Sequence, residues 1–177
     1  WNPKAGGIEA FYFRDPDGHF LELIHFPPGR GAPRWQQAAP GSGFRGIDHT
    51  AIVVAGTRPA LALWRDLLGF DVAGASENWG VEQEHLNNVF GAHLLITGLR
   101  LRRGPGVELL RYLAPDNGRA APLDTRANDA WHWQIELAVR DRAAFDELDD
   151  ALGRAGYRAL SPAAVDLPSD AAGLRRA

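Results

Sequence analysis

The sequence predicts an α+β protein built from two βαβββ modules that share one sheet system. The first observation is an internal repeat: a strand, a short step, a helix, a glycine and an aromatic residue occur twice, ending at Gly69-Phe70 and at Gly156-Tyr157. The second is a polar stripe on a predicted strand. In residues 132–139 the strand period of two places large apolar side chains on one face and His, Gln and Glu on the other.

The chain begins with a predicted β-hairpin over residues 8–26. Ile8–Phe13 and Phe20–Phe26 are rich in strand-forming residues, and Asp-Pro-Asp-Gly at 15–18 is a strong turn. Both hairpin faces carry apolar side chains, so we expect another element to cover it. Residues 27–46 are rich in Pro, Gly, Ala, Arg and Gln and are predicted to be a linker, with Trp35 as the residue that could dock it.

The first module follows from residue 47. A strand over 47–54 precedes a helix with Thr57 as its N-cap, Pro59 in its first turn and Gly69 as its stop. Further strands are predicted over residues 70–75, 93–101 and 107–113. The segment around His85 reads as a polar loop, and Trp79 is assigned to a loop as a candidate cavity wall or lid.

The second module is shorter. Residues 115–130 form a long polar connection, 132–139 the strand, and Asp141 the N-cap of a helix with Phe145, Leu148 and Leu152 on its apolar face. After residue 162 too little chain remains for a closing hairpin. The predicted organisation is a closing hairpin over residues 1–26, a linker over 27–46, and a domain over 47–177 that lacks its own last hairpin.

Composition narrows the function classes. The 177 residues carry a net charge of −3, with no long basic run, so nucleic-acid binding is not predicted. No apolar stretch approaches the ~20 residues that span a bilayer, so we expect no membrane partner. The chain has no cysteine, which excludes thiolate ligands and disulfides and fits a cytoplasmic location. Abundant arginine beside a single lysine is typical of a GC-rich bacterial genome.

Three polar residues lie where predicted strands face an interior. His49 alternates with small apolar residues, and Glu108 alternates with Leu110 and Tyr112. His132 begins the predicted strand over residues 132–139. Buried imidazoles and carboxylates need partners, because an unpaired polar group is costly in an apolar interior. Such residue types are metal ligands, although a His–Glu hydrogen-bonded pair without a metal satisfies the same pattern.

Five stretches together resemble the vicinal oxygen chelate superfamily, which includes glyoxalase I, bleomycin-resistance proteins and extradiol dioxygenases. They are residues 14–23, with Asp-Pro-Asp-Gly before Leu-Glu-Leu, and residues 47–54, 64–70, 107–113 and 132–139. The resemblance implies a curved mixed sheet around a cavity. It also implies metal ligands on the first, fourth, fifth and eighth strands, which carry over to His49, Glu108, His132 and Glu22.

Glu22 precedes the other three ligands, which departs from the usual order. We therefore expect a tandem protein whose first hairpin fills the place of the missing one, either within the chain or by a swap between two chains. A homodimer is expected for the same reason, since the incomplete sheet has edges to cover.

The resemblance implies a metal-dependent, glyoxalase-like lyase or isomerase that acts on a small oxygen-chelating substrate through an enediolate-type intermediate. The cofactor would be a divalent ion (Ni, Zn, Co, Fe or Mn), and Glu22 or Glu108 would act as general base. One alternative is an extradiol-type Fe(II) dioxygenase that uses His49, His132 and Glu22. Another is a metal-free ligand-binding protein like those that confer bleomycin resistance.

Overall fold

The structure is a computed structural model that describes residues 5–37, 41, 43–162 and 164. The chain divides into two compact units, residues 1–135 and residues 136–177. In chain order the elements of the first unit are β1 (Glu9–Arg14), β2 (Phe20–His25), a 3-10 turn (Pro33–Trp35), β3 (His49–Val53), α1 (Thr57–Leu61) continued by a π-helical segment (Ala62–Leu67), β4 (Asp71–Trp79), α2 (Val81–Asn87), β5 (His93–Arg100) and β6 (Gly106–Ala114). The second unit contains α3 (Arg142–Arg154).

A mixed sheet of four strands forms the centre of the first unit. Its strand order is β3-β6-β5-β4, with β3 parallel to β6 and the other neighbours antiparallel. The predicted βαβββ module is therefore present, with α2 inserted between β4 and β5. In the register, Glu108 of β6 lies between Ala51 of β3 and Gly98 of β5, so its side chain stands over the middle of the sheet.

The predicted hairpin is also present. Strands β1 and β2 pair antiparallel as a separate two-stranded sheet, with Tyr12 directly opposite Glu22. At the turn, Asp15 Oδ1 accepts hydrogen bonds from the backbone N–H of Asp17 (3.0 Å) and of His19 (2.9 Å). Gly18 has φ +92°, a conformation that favours glycine.

The two faces of the hairpin differ in burial. Tyr12 and Glu22 share the half-buried face, whereas Phe11 and Phe13 point the other way and are 57% and 39% exposed. Among the described residues, the outer face of the hairpin is therefore more exposed than the face that carries Tyr12 and Glu22.

The core lies on the helical face of the four-stranded sheet. Strand alternation places Leu99, Val107 and Leu109 on this face, where they are almost fully buried beside Phe70. Apolar side chains of α1 and its π-helical continuation pack against them. A second buried cluster on the opposite face contains Ala92, Leu94 and Leu110, with Ile96 and Tyr112 at its border.

Three local predictions in the first module are wrong. Thr57 is not the N-cap: Gly56 holds that place, while the Thr57 hydroxyl is buried without a hydrogen-bond partner. Trp79 is the last residue of β4 rather than a loop residue, because its backbone pairs with His93. His85 belongs to α2 rather than to a loop; the polar sequence of this helix predicted a loop, but the helix packs against β1 and β4. Gly69, in contrast, ends the helix with φ +75° as predicted.

The predicted strand over residues 132–139 does not form in the described part of the chain. Alternating side chains are compatible with a strand, but a strand also needs a neighbour to accept its backbone hydrogen bonds. The helix that follows was predicted correctly: Asp141 caps α3 by accepting a 2.9 Å hydrogen bond from the backbone N–H of Ala144.

Helices in the described ranges are all too short or too polar to cross a lipid bilayer.

Candidate functional site

The side chains of Glu22, His49 and Glu108 meet between the hairpin and the four-stranded sheet. His49 Nε2 lies 3.3 Å from Glu22 Oε2 and 3.5 Å from Glu108 Oε2. The side chain of His49 is 9% exposed, that of Glu22 20% and that of Glu108 30%. Residues up to 86 positions apart in the sequence thus form one partly buried cluster within a single chain.

Backbone register explains how these side chains meet. His49 begins β3, and Glu108 lies on the same sheet face because Ala51, two residues after His49, pairs with Glu108. Glu22 lies in the middle of β2 on the half-buried face of the hairpin. The hairpin, a sheet of its own, therefore supplies the second carboxylate to a site whose other two residues lie on the four-stranded sheet of the same chain.

A second group of polar residues lies behind His49. His49 Nδ1 donates to Asp48 Oδ2 at 2.9 Å, and the Arg100 guanidinium donates to the same oxygen at 2.7 Å. Asp48 Oδ1 accepts from the Trp35 indole N–H at 2.6 Å. Trp35 was predicted to dock the linker, and the structure shows its partner: Trp35 holds the linker to Asp48, the residue directly before β3.

Charge in the site is concentrated on His49 and its partners. Burial alone would lower the pKa of His49, but hydrogen bonds to Asp48 and Glu22 and the negative charge of Glu108 raise it to about 10. Burial would raise the pKa of Asp48, yet hydrogen bonds from His49, Trp35 and Arg100 hold it well below its usual range. Without a metal, His49 is an imidazolium at neutral pH, held between carboxylates.

Two further groups respond to this charge. Burial raises the pKa of Glu108 above its usual value; His49 opposes the rise and Glu22 adds to it. Burial, followed by the negative charges of Glu22 and Glu108, raises the pKa of Tyr12 far above that of an exposed tyrosine. Tyr12 therefore stays a neutral hydroxyl donor beside the two carboxylates.

The fourth predicted ligand is placed differently. His132 is half-buried and lies just after a turn, where its backbone N–H donates to the carbonyl of Asp129 at 2.9 Å. Among the described residues, no ion pair joins His132 to Glu22, His49 or Glu108. The structure thus brings together three of the four predicted ligands.

The three residues fit a divalent metal in donor type and in part in geometry. Two ligand atoms bound ~2.1 Å from one tetrahedral ion lie roughly 3.4 Å apart, close to both distances from His49 Nε2. The hydrogen bond from Nδ1 leaves Nε2 as the coordinating atom. The two carboxylates flank the imidazole, however, and the three ligand atoms do not all lie within 4.8 Å of one another.

Within the described residues, a closer group lies at the hairpin turn, where ligand atoms of Asp15, Asp17 and His19 are all within 4.8 Å of one another. This group is partly exposed, and Asp15 is already occupied by hydrogen bonds to two backbone N–H groups and to His19 Nδ1. Exposed acidic groups of this kind are common without a metal.

Sequence reasoning missed four residues of the site: Tyr12, Trp35 as a partner of Asp48, Asp48 itself and Arg100. Tyr12 carried a partial signal, because it belongs to the predicted hairpin, in which the structure pairs it with Glu22. Arg100 carried none, since its partner Asp48 is 52 residues away.

Comparison with known proteins supports the fold. A crystal structure of a glyoxalase family protein from Bacillus cereus matches with a TM-score of 0.55 and 20% sequence identity, covering 67% of this chain and 77% of that chain. No protein-family model and no curated protein sequence matches significantly. The chain therefore has a fold similar to that of this glyoxalase family protein, as the sequence motifs predicted.

Proposed function

We propose that this protein is a metal-dependent, glyoxalase-like lyase or isomerase that moves a proton on a small substrate with two neighbouring oxygens. The observation that carries the proposal is the meeting of Glu22 and Glu108 at the Nε2 side of His49, whose Nδ1 side is occupied by Asp48. When bound, a divalent ion (Ni, Zn, Co, Fe or Mn) would supply Lewis-acid stabilisation of negative charge on the substrate oxygens.

The residues divide the work as follows. His49 and Glu22 would hold the ion, His49 through Nε2. Glu108 would accept the proton from the substrate carbon and return it to the neighbouring position, because a carboxylate with a raised pKa is closer to the proton affinity that such a transfer needs. Tyr12 would donate a hydrogen bond, since its hydroxyl remains protonated.

A metal-free binding protein is the second candidate. The observation that favours it is the set of contacts of His49, whose imidazolium already pairs with Asp48, Glu22 and Glu108 without a metal. In that case the buried His–Glu cluster stabilises the packing of hairpin on sheet, and ligand binding involves no proton transfer. The dioxygenase alternative requires His132 as a ligand, and no observation favours it.

The proposed partners are a small-molecule substrate and a second copy of the chain in a cytoplasmic homodimer. Strand β4 supports the dimer as an exposed edge of the sheet, since its outer backbone groups face no other strand among the described residues.

The first experiment is calorimetric titration of Ni²⁺, Co²⁺, Zn²⁺, Mn²⁺ and Fe²⁺ into metal-free protein. The proposal expects one ion per chain for at least one metal, and a loss of affinity of at least tenfold in Glu22→Gln and in His49→Gln, because these two residues would hold the ion. The matched control is Glu77→Gln, which removes the carboxylate of an exposed His–Glu pair with His93 (2.6 Å) and should leave the affinity unchanged.

A second variant identifies the competing cluster. If the double variant Asp15→Asn, Asp17→Asn loses metal binding while Glu22→Gln does not, the metal belongs to the hairpin turn and the proposal is wrong.

Proton transfer is tested by NMR on the metal-loaded protein, as solvent deuterium uptake by a panel of α-hydroxycarbonyl and 1,2-dicarbonyl compounds. Stoichiometric binding of such a compound without metal and without deuterium uptake would support the binding-protein alternative.

A further inference from the structure

The side chain of Asp48 is a meeting point for three donors from three segments. It is 7% exposed, and its two oxygens accept from His49 Nδ1, the Arg100 guanidinium and the Trp35 indole N–H. Its backbone carbonyl accepts from Arg100 Nη1 at 3.0 Å and from the backbone N–H of Gly106 at 2.7 Å. Asp48 is thereby bonded to the linker, to β5 and to β6.

This arrangement holds Asp48 in one rotamer. A buried carboxylate that turns away from its donors leaves charge unpaired, which is strongly unfavourable. Trp35 and Arg100 approach opposite oxygens, so each opposes a rotation that the other would permit. Asp48 Oδ2 is consequently held in place next to the imidazole of His49.

We propose that Asp48 is the positioning residue of the site: it orients the His49 imidazole so that Nδ1 carries a proton and Nε2 faces Glu22 and Glu108. The two imidazole nitrogens are distinct, and the hydrogen bond made by one decides which of them is open to a ligand. Trp35 and Arg100 act through Asp48 and hold it in this position. The consequence for metal binding rests on the proposed function, whereas the orientation of His49 does not.

The orientation is tested by NMR on the metal-free protein with ¹⁵N-labelled histidine. The wild type is expected to show a Nδ1–H proton of His49 that is shifted downfield and protected from solvent exchange. In Asp48→Ala this signal should disappear, because the acceptor is gone. In Asp48→Asn it should persist at a smaller shift, since the amide oxygen can still accept.

The metal consequence is tested by Co²⁺ titration of the same variants. Removal of a residue that orients a metal-ligating histidine typically weakens metal binding by ~10–100-fold, and this loss is expected for Asp48→Ala. Asp48→Asn should lie between Asp48→Ala and the wild type. Leu109→Ala is the stability control, because Leu109 is fully buried on the other sheet face and should leave Co²⁺ affinity within about threefold of wild type.

The possible results separate the two proposals. A wild type whose His49 lacks a protected Nδ1–H overturns the role of Asp48, whether or not any variant folds. Retention of that signal in folded Asp48→Ala also overturns it, as does unchanged Co²⁺ affinity there. A wild type with the signal but with no affinity for Co²⁺ or the other metals supports Asp48 as the positioning residue and refutes the proposed function instead.

Discussion

The protonation of His49 predicts a specific dependence of stability on pH in the metal-free protein. The pKa of His49 is about 10 in the folded chain, against an ordinary value of 6.5. A group whose pKa is raised by folding stabilises the folded state fully below its unfolded pKa and loses that contribution as the pH rises through its folded pKa. His49 should therefore contribute most below pH 6.5 and little above pH 10.

The size of the effect follows from these two values. Linkage between a folded pKa of about 10 and an unfolded value of 6.5 gives a loss of roughly 3 to 4 kcal/mol in the free energy of unfolding between pH 7 and pH 10. The small exposure of the His49 side chain, 9%, means that solvent screens little of this interaction. The physical cause is the loss of the imidazolium charge opposite Asp48, Glu22 and Glu108.

The assay is urea unfolding of chelator-treated protein at pH 7, 8, 9 and 10, with wild type and His49→Gln compared at each pH. The difference between the two proteins should shrink by roughly 3 kcal/mol over this range. His93→Gln, which removes a more exposed imidazole, controls for the general effect of losing a histidine. A His49→Gln protein with the same pH dependence as wild type would refute the reasoning.

Three further predictions concern stability. Leu109→Ala should lower the free energy of unfolding by ~2–5 kcal/mol in urea titrations, because it leaves a cavity in the buried cluster, and Leu123→Ala at a fully exposed position should change it by less than ~0.5 kcal/mol. Gly106→Ala should lower the free energy of unfolding by about 2 kcal/mol, because the added Cβ would overlap the Arg100 guanidinium and lie 2.9 Å from a backbone carbonyl. Gly118→Ala, with open space around it, is the control. Equal effects of the two substitutions would contradict this explanation. Asp141→Ala should cost ~1 kcal/mol by removing the N-cap of α3, seen as lower helicity in circular dichroism, whereas Asp150→Ala inside the helix should not reduce helicity.

Local sequence patterns predicted most of the first unit. The hairpin, the helix after β3 and strands β5 and β6 agree with the predicted elements to within a few residues. Each is short, has a clear period, and is bounded by turn residues such as Gly18 and Gly69 that carry positive φ. Predictions from the pattern alone were wrong where the pattern was ambiguous, as in the polar helix α2 and in residues 132–139, which form no strand in the described part of the chain.

The candidate site was predictable in part. Alternation on their strands singled out His49 and Glu108, and the family resemblance added Glu22, although its metal-binding role remains a prediction. The approach of Glu22 to His49 depends on how the hairpin packs, which no local pattern encodes. His132 showed the opposite case: its pattern suggested a ligand, while the structure places no ion pair between it and the cluster.

By itself the sequence determined the fold type and the residue types of the site, because periodicity, turn chemistry and the shared motifs are properties of neighbouring residues. Only the tertiary structure decided that Asp48, Arg100 and Trp35 form one hydrogen-bonded group behind His49. These residues come from β5, the linker and the approach to β3, and their contacts exist only after the sheet has assembled. The protonation of His49 follows from that assembly, because burial lowers its pKa and the carboxylates that converge on it raise the pKa by more.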